Sequence, residues 1–119
     1  MVPHAMAVDP QFPDRLYVAT GNQGVALSED GGVTWAFSNA GLGANVMFTI
    51  TIDPSNSDRI YASSEDRGVW RSDDRGANWS ELNAGLFNEF VTALTIDSDN
   101  PNTIYAGTEG GGVFKLEQE

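Results

Sequence analysis

Seventeen carboxylates and a single histidine bound the chemistry open to this 119-residue sequence. Two carboxylates about 5–9 Å apart can hydrolyse a glycosidic bond, so the acidic residues come first. They fall into series: Asp9, Asp53 and Asp97 are spaced 44 apart, as are Asp30 and Asp74, and Asp14 and Asp58 recur as Asn102. A carboxylate copied to one position in every unit argues for shape, because catalysis rarely needs the same group several times, and no acidic pair is unique to one unit. His4 aligns with Phe48 and Thr92 and reads as a strand residue; one imidazole makes neither a zinc site nor a catalytic triad. The absence of cysteine excludes disulfides, thiolate metal sites and thiol nucleophiles. Arg15 and Arg59 are repeat equivalents, while Arg67, Arg71 and Arg75 sit among Glu65, Asp66, Asp73 and Asp74 and read as surface ion pairs, each contributing about 0–1 kcal/mol. No phosphate loop or dinucleotide fingerprint is present, so no cofactor and no metal is expected.

The elements that position these groups are themselves copied. Tyr17, Tyr61 and Tyr105 are 44 apart, and so are Gly24, Gly68 and Gly112. In the middle copy Val46, Phe48, Ile50 and Ile52 alternate, which predicts a strand with those four on one face. Asp53-Pro54 breaks it. Ile60–Ser63, Val69–Ser72 and Asn78–Leu82 read as three more strands, separated by turns at Glu65–Gly68 and Asp73–Ala77. The flanking copies follow the same plan, and the third stops before its fourth strand. A period of about 40–50 residues made of short β runs marks a propeller blade.

The predicted fold is therefore an all-β propeller segment of about three four-stranded antiparallel blades, the last lacking its outer strand. Blade 1 covers 4–45, blade 2 covers 46–89 and a partial blade 3 covers 90–119, together one segment. The first strand of each blade would line the channel and the fourth would lie outermost. Small residues late in the second strand (Ala19, Ser63, Gly107) fit close approach of neighbouring sheets. Each blade buries its faces only against other blades, and closed propellers use about 4–8 of them. The expectation is that the chain is part of a longer propeller or one share of a homo-oligomeric ring.

Two eight-residue stretches carry the most specific pattern. Ser28, Asp30, Gly32 and Trp35 recur in register as Ser72, Asp74, Gly76 and Trp79, giving Ser-x-Asp-x-Gly-x-x-Trp twice. This resembles the Asp-box, or BNR repeat. With Asp-Pro before the second strand and Gly-Leu after the fourth, the chain is similar to the Asp-box β-propellers: sialidases, sortilin-type receptors, xyloglucanase-type glycoside hydrolases and photosystem assembly factors. The third copy departs, with Leu116-Glu117-Gln118-Glu119 where a box would begin. The residue types explain the pattern: Asp accepts hydrogen bonds from turn amides, Gly takes conformations other residues resist, and Trp folds back as an apolar plug with its N–H free for a carbonyl. The box residues read as scaffold. The resemblance implies sialidase chemistry only if an arginine triad and a tyrosine nucleophile with its glutamate are present; the repeated arginines and tyrosines here do not form one.

The net charge of −11, from 17 acidic and 6 basic residues, opposes nucleic acid and anionic lipid. No basic-then-apolar leader is visible at Met1–His4, and no apolar run nears the ~20 residues that span a bilayer, so no membrane insertion is expected and the compartment is undecided. The leading reading is a non-enzymatic binding or scaffold module. Its candidate ligand face lies on the loops leaving the second and fourth strands, which differ most between copies: Asn22, Gln23, Asp66, Arg67 and Phe87. Divergent loops on a copied scaffold are where binding concentrates. Two rivals remain: a fragment of a glycan-active BNR-repeat glycoside hydrolase, and a lectin-like carbohydrate-binding ring using exposed aromatics such as Trp70 or Phe87. Either a carbohydrate or a protein would serve as ligand.

Overall fold

The computed structural model describes residues 1–43, 46–65, 68–82 and 90–118. Among them are eleven strands and no helix. The strands are β1 (Pro3–Val8), β2 (Leu16–Thr20), β3 (Val25–Ser28), β4 (Ala36–Phe37), β5 (Met47–Ile52), β6 (Ile60–Ser64), β7 (Val69–Ser72), β8 (Ser80–Leu82), β9 (Val91–Ile96), β10 (Thr103–Thr108) and β11 (Gly112–Glu117). They form three antiparallel meanders, β1-β2-β3-β4, β5-β6-β7-β8 and β9-β10-β11. The inner strands β1, β5 and β9 pack on one another in turn, so the sheets stand side by side as blades. The third sheet has three strands.

Each strand sends alternate side chains to opposite sides, and the repeat fixes which side meets which neighbour. Tyr17, Ala19 and Val25 of the first blade bury against Ile50, Ile52, Ile60, Ala62 and Trp70 of the second. Tyr61 and Val69 of the second blade bury against Val91, Ile104, Ala106 and Leu116 of the third sheet. A fully buried aliphatic side chain contributes about 1.5–3 kcal/mol, so these two seams hold the blades together. Ala19 and Ser63 are fully buried at the two seams, and the Ser63 hydroxyl donates to the Val91 carbonyl at 2.8 Å.

The inner strands depart from simple alternation. Pairing with the second strand slips between Pro3 and Ala5, between Met47 and Thr49, and beside Thr108, where Val91 and Ala93 are partners but Thr92 is skipped. A β-bulge therefore recurs at His4, Phe48 and Thr92. The expectation that Phe48 shares a face with Ile50 and Ile52 is corrected by this extra residue. The bulge reverses the side on which Phe48 lies, and Met47 takes the fully buried place beside Ile50 and Ile52.

Between the first and second sheets, polar contacts centre on the second Ser-x-Asp-x-Gly-x-x-Trp turn. Trp79 Nε1 donates to the Ser38 carbonyl at 2.8 Å, and the Trp79 amide donates to the Ala40 carbonyl at 2.8 Å. The Ser38 hydroxyl donates to the Gly76 carbonyl, and the Tyr17 hydroxyl to that of Arg75 at 3.2 Å. A side chain at Gly41 would collide with the Trp79 carbonyl, so the linker leaving β4 is pressed against the turn. Trp35 turns Nε1 instead to its own Gly32 carbonyl at 3.1 Å. Trp79 is buried and Trp35 half-buried. Trp79→Ala is therefore expected to cost about 3–5 kcal/mol, and Trp35→Ala about 1 kcal/mol, the ordinary loss for a substitution. Urea denaturation of both variants checks this, and equal losses would contradict the asymmetry.

Candidate functional site

The turns account for many of the carboxylates. Asp30 Oδ1 accepts the Thr34 amide at 2.9 Å and the Ser28 hydroxyl at 2.8 Å, while Oδ2 accepts the Thr34 hydroxyl. Asp74 repeats this with the Asn78 amide at 2.8 Å, the Ser72 hydroxyl at 2.8 Å and Asn78 Nδ2 at 2.9 Å. Gly32 and Gly76 sit at φ 96° and 90°, where a Cβ is strained. The Thr34 hydroxyl and amide, with the Ser28 hydroxyl, hold the Asp30 carboxyl down at about 2. Asp74 is lowered by the Asn78 side chain and amide and by Ser72.

Asp9 is fully buried between blades. Burial pushes its carboxyl up, but the Ser57 hydroxyl (2.6 Å), the Gln11 and Phe12 amides and the Arg15 charge outweigh that, and the net direction is down. Asp53 and Asp97 accept the amides two residues on, from Ser55 at 2.9 Å and Asp99 at 3.0 Å. Asp73 is lowered first by the Arg71 hydrogen bond, then by the charges of Arg71 and Arg59. Its ion pairs measure 2.9 Å to Arg71 and 3.2 Å to Arg59; Arg75 pairs with Asp58 at 2.7 Å. A general acid needs a raised pKa, and Asp9, Asp30, Asp73 and Asp74 are all moved the other way.

The end of the molecule where β1, β5 and β9 begin is built differently. There the His4 ring stacks on Phe48, with centroids 4.7 Å apart and planes at 25°, and Phe48 meets Phe90 at 4.4 Å and 43°. The bulges set His4 and Phe48, and Phe90, just ahead of β9, completes a row that crosses all three blades. His4 Nδ1 lies 2.9 Å from the Met47 carbonyl, an acceptor only, so the proton is on Nδ1. A Cβ at Gly21 would come within 2.6 Å of the His4 ring, so glycine there lets the loop close over it.

The loops after the second strands are tied to the same edge: Gly21 donates to Val2, Glu65 to Val46 and Glu109 to Phe90. Asn22 and Gln23 are exposed in the first of these loops, and Asn22 Oδ1 accepts the Val2 amide at 3.4 Å. Asp66, Arg67 and Phe87 lie outside the described residues. The aromatic row was not legible, since its third ring, Phe90, stands at the repeat position of Val46 rather than at that of His4 and Phe48, which Thr92 occupies, and the bulge that sets His4 and Phe48 has no residue signature. Trp70, a candidate exposed platform, is 3 % exposed and faces the first blade, with Nε1 buried and unpartnered. Clefts of about 380 Å³ (Gln11 to Arg15 with Glu29) and about 320 Å³ (Arg71, Asp73, Asp74, Asn78 and Ser80 to Leu82) are lined by turn and ion-pair residues. Among the described residues no cluster of His, Asp or Glu suits a metal ion.

Radiating four-stranded blades joined through these turns define an Asp-box β-propeller. The Sortilin-Vps10 family model, described as "Sortilin, neurotensin receptor 3", matches residues 23–117, and the chain belongs to that family. No curated protein matches the sequence. Among solved structures, a GH74 enzyme from Niastella koreensis is similar at 23% identity and TM-score 0.81, covering 97% of this chain and 20% of the other. The GH74 xyloglucanase from Xanthomonas campestris gives 21% and 0.77, covering 94% and 20%. YCF48 from Cyanidioschyzon merolae gives 21% and 0.70, covering 98% and 34%. A YCF48 structure bound to D1 peptide gives 16% and 0.73, covering 98% and 37%. At these identities the likeness establishes the fold. The chain spans about a fifth to a third of the propellers it matches.

The Asp30 carboxyl titrates near 2 in the folded chain against an ordinary 3.8. Its contribution to stability is complete above that ordinary value and is lost as the pH falls toward 2. Asp74 moves in the same direction. Acid unfolding monitored by tryptophan fluorescence is therefore expected to show a stability loss between about pH 4 and pH 2 that shrinks in the Asp30→Asn, Asp74→Asn double variant. An unchanged acid limb would contradict the assignment.

Proposed function

We propose that the chain is a non-enzymatic binding module, a run of propeller blades that contributes to a larger ring and presents its ligand surface where the inner strands begin. The observation that carries this reading is the row His4, Phe48 and Phe90, which crosses three blades beside the least similar loops. Half-exposed rings in line offer apolar faces that sugars or peptide side chains stack on, and Asn22 and Gln23 add hydrogen-bonding groups. Asp66, Arg67 and Phe87 complete the proposed surface. Glu65 and Glu109 in the same loops disfavour an anionic ligand.

The ligand is a carbohydrate or a protein segment, and a similar propeller that holds a D1 peptide supports the second. The likeness to GH74 enzymes favours the rival reading, a part of a glycan-cleaving enzyme. Against it stand the lowered pKa values of Asp9, Asp30, Asp73 and Asp74, which suit turns rather than proton donation.

Screening the purified chain against glycan and peptide arrays is expected to give binders without turnover. Truncating a central aromatic anchor costs about 2 kcal/mol or more, so Phe48→Ala should weaken the best binder about 30-fold. The Arg67→Ala, Phe87→Ala double variant should weaken it as well. Hydrolysis of an array glycan, or affinity unchanged in both variants, would overturn the reading.

A further inference from the structure

The surfaces buried between blades are repeated, uncovered, on the two outer blades. On the side of the first blade that faces away from the second stand Met6, Val8 and Phe37, 58%, 55% and 51% exposed. Their alternation with Ala5 and Ala7, which pack toward the second blade, fixes that side. One repeat later Met6 and Val8 become Ile50 and Ile52, both buried against the first blade. At the outer strands Ala26 pairs with Phe37 where Trp70 pairs with Glu81. The bulky ring has moved across the pair, so this face keeps one aromatic at that height.

The opposite side of the third sheet mirrors this. Val113 is 75% exposed, whereas its equivalents Val25 and Val69 are fully buried. Tyr105 is half-exposed where Tyr17 and Tyr61 are fully buried. Lys115 stands in place of Arg71. Each outer face is thus the half of a seam whose other half lies at the far end of the same chain.

We propose that a second copy of this chain covers these faces, the third blade of one copy docking on the first blade of the next and continuing the internal seams. This rests on the reading of the chain as a contributor to a ring. Polar positions agree with it. Tyr17 reaches the Arg75 carbonyl on the following blade, so Tyr105 would reach the equivalent Gly31 carbonyl of the next copy. Arg71 reaches Gln118 on the following blade; the same step from Lys115 arrives at Asp30, a cation opposite a carboxylate. Such a head-to-tail contact uses two different surfaces, and rotation closes it into a ring.

The test is the molar mass of the intact chain by light scattering and native mass spectrometry across micromolar concentrations. The wild type should show a finite multiple of the monomer mass. Val113→Arg and Met6→Glu each charge one exposed face, and each should give a folded monomer, with circular dichroism and melting unchanged from a wild-type sample diluted to monomer. Mixed in equal amounts, each variant retains the face the other lacks, so one-to-one pairs should form. A monomeric wild type at about 100 μM, an assembly untouched by either variant, or an assembly lost in only one of them would overturn the proposal. Ligand binding is read separately on the arrays, so failure of assembly is distinguishable from failure of the binding reading.

Discussion

A blade of this repeat cannot satisfy its own polar groups or hide its own apolar sides, and every other feature follows from that constraint. The linker that leaves β4 offers the Ser38 and Ala40 carbonyls, and the indole and amide of Trp79 on the next blade take them up. Beneath this clasp Tyr17 and Val25 meet the isoleucines of β5. The clasp orders the turn, the ordered turn places the tryptophan, and the tryptophan closes the seam. Buried polar groups left without such partners cost about 1–3 kcal/mol each, so the hydrogen bonds fix which surfaces meet while burial supplies the attraction.

Much of this architecture was legible because a 44-residue period aligns residues of like type. Tyrosine on Tyr61 and valine on Val69 mark a strand side that must be covered, and Ser72, Asp74, Gly76 and Trp79 are intelligible as a turn from residue type alone. What the period hid is what depends on neighbours. The bulge at Phe48 leaves no signature in its own residues, yet it decides that Met47 rather than Phe48 enters the core. The acceptor of Trp79 lies about one repeat upstream in sequence and belongs to another sheet, so spacing did not point to it. Trp70 is of the type found on sugar-binding surfaces, and only the packing of β7 against the first blade shows it to be buried.

The same constraint separates scaffold from function. Asp9, Asp30 and Asp74 are committed to turns and seams, which holds them ionised and sets them against the role of general acid. The proposed ligand surface lies where the inner strands begin, where bulges turn His4 and Phe48 away from the core and the loops differ from copy to copy.

The most direct test of the central claim is to prepare residues 46–89 alone, one complete blade without neighbours, and to record its circular dichroism and its amide proton spectrum. With both sides uncovered and its linker clasp unmade, the blade should be unfolded under conditions in which the whole chain is folded. A cooperative melt and dispersed amide signals from the isolated blade would contradict the account.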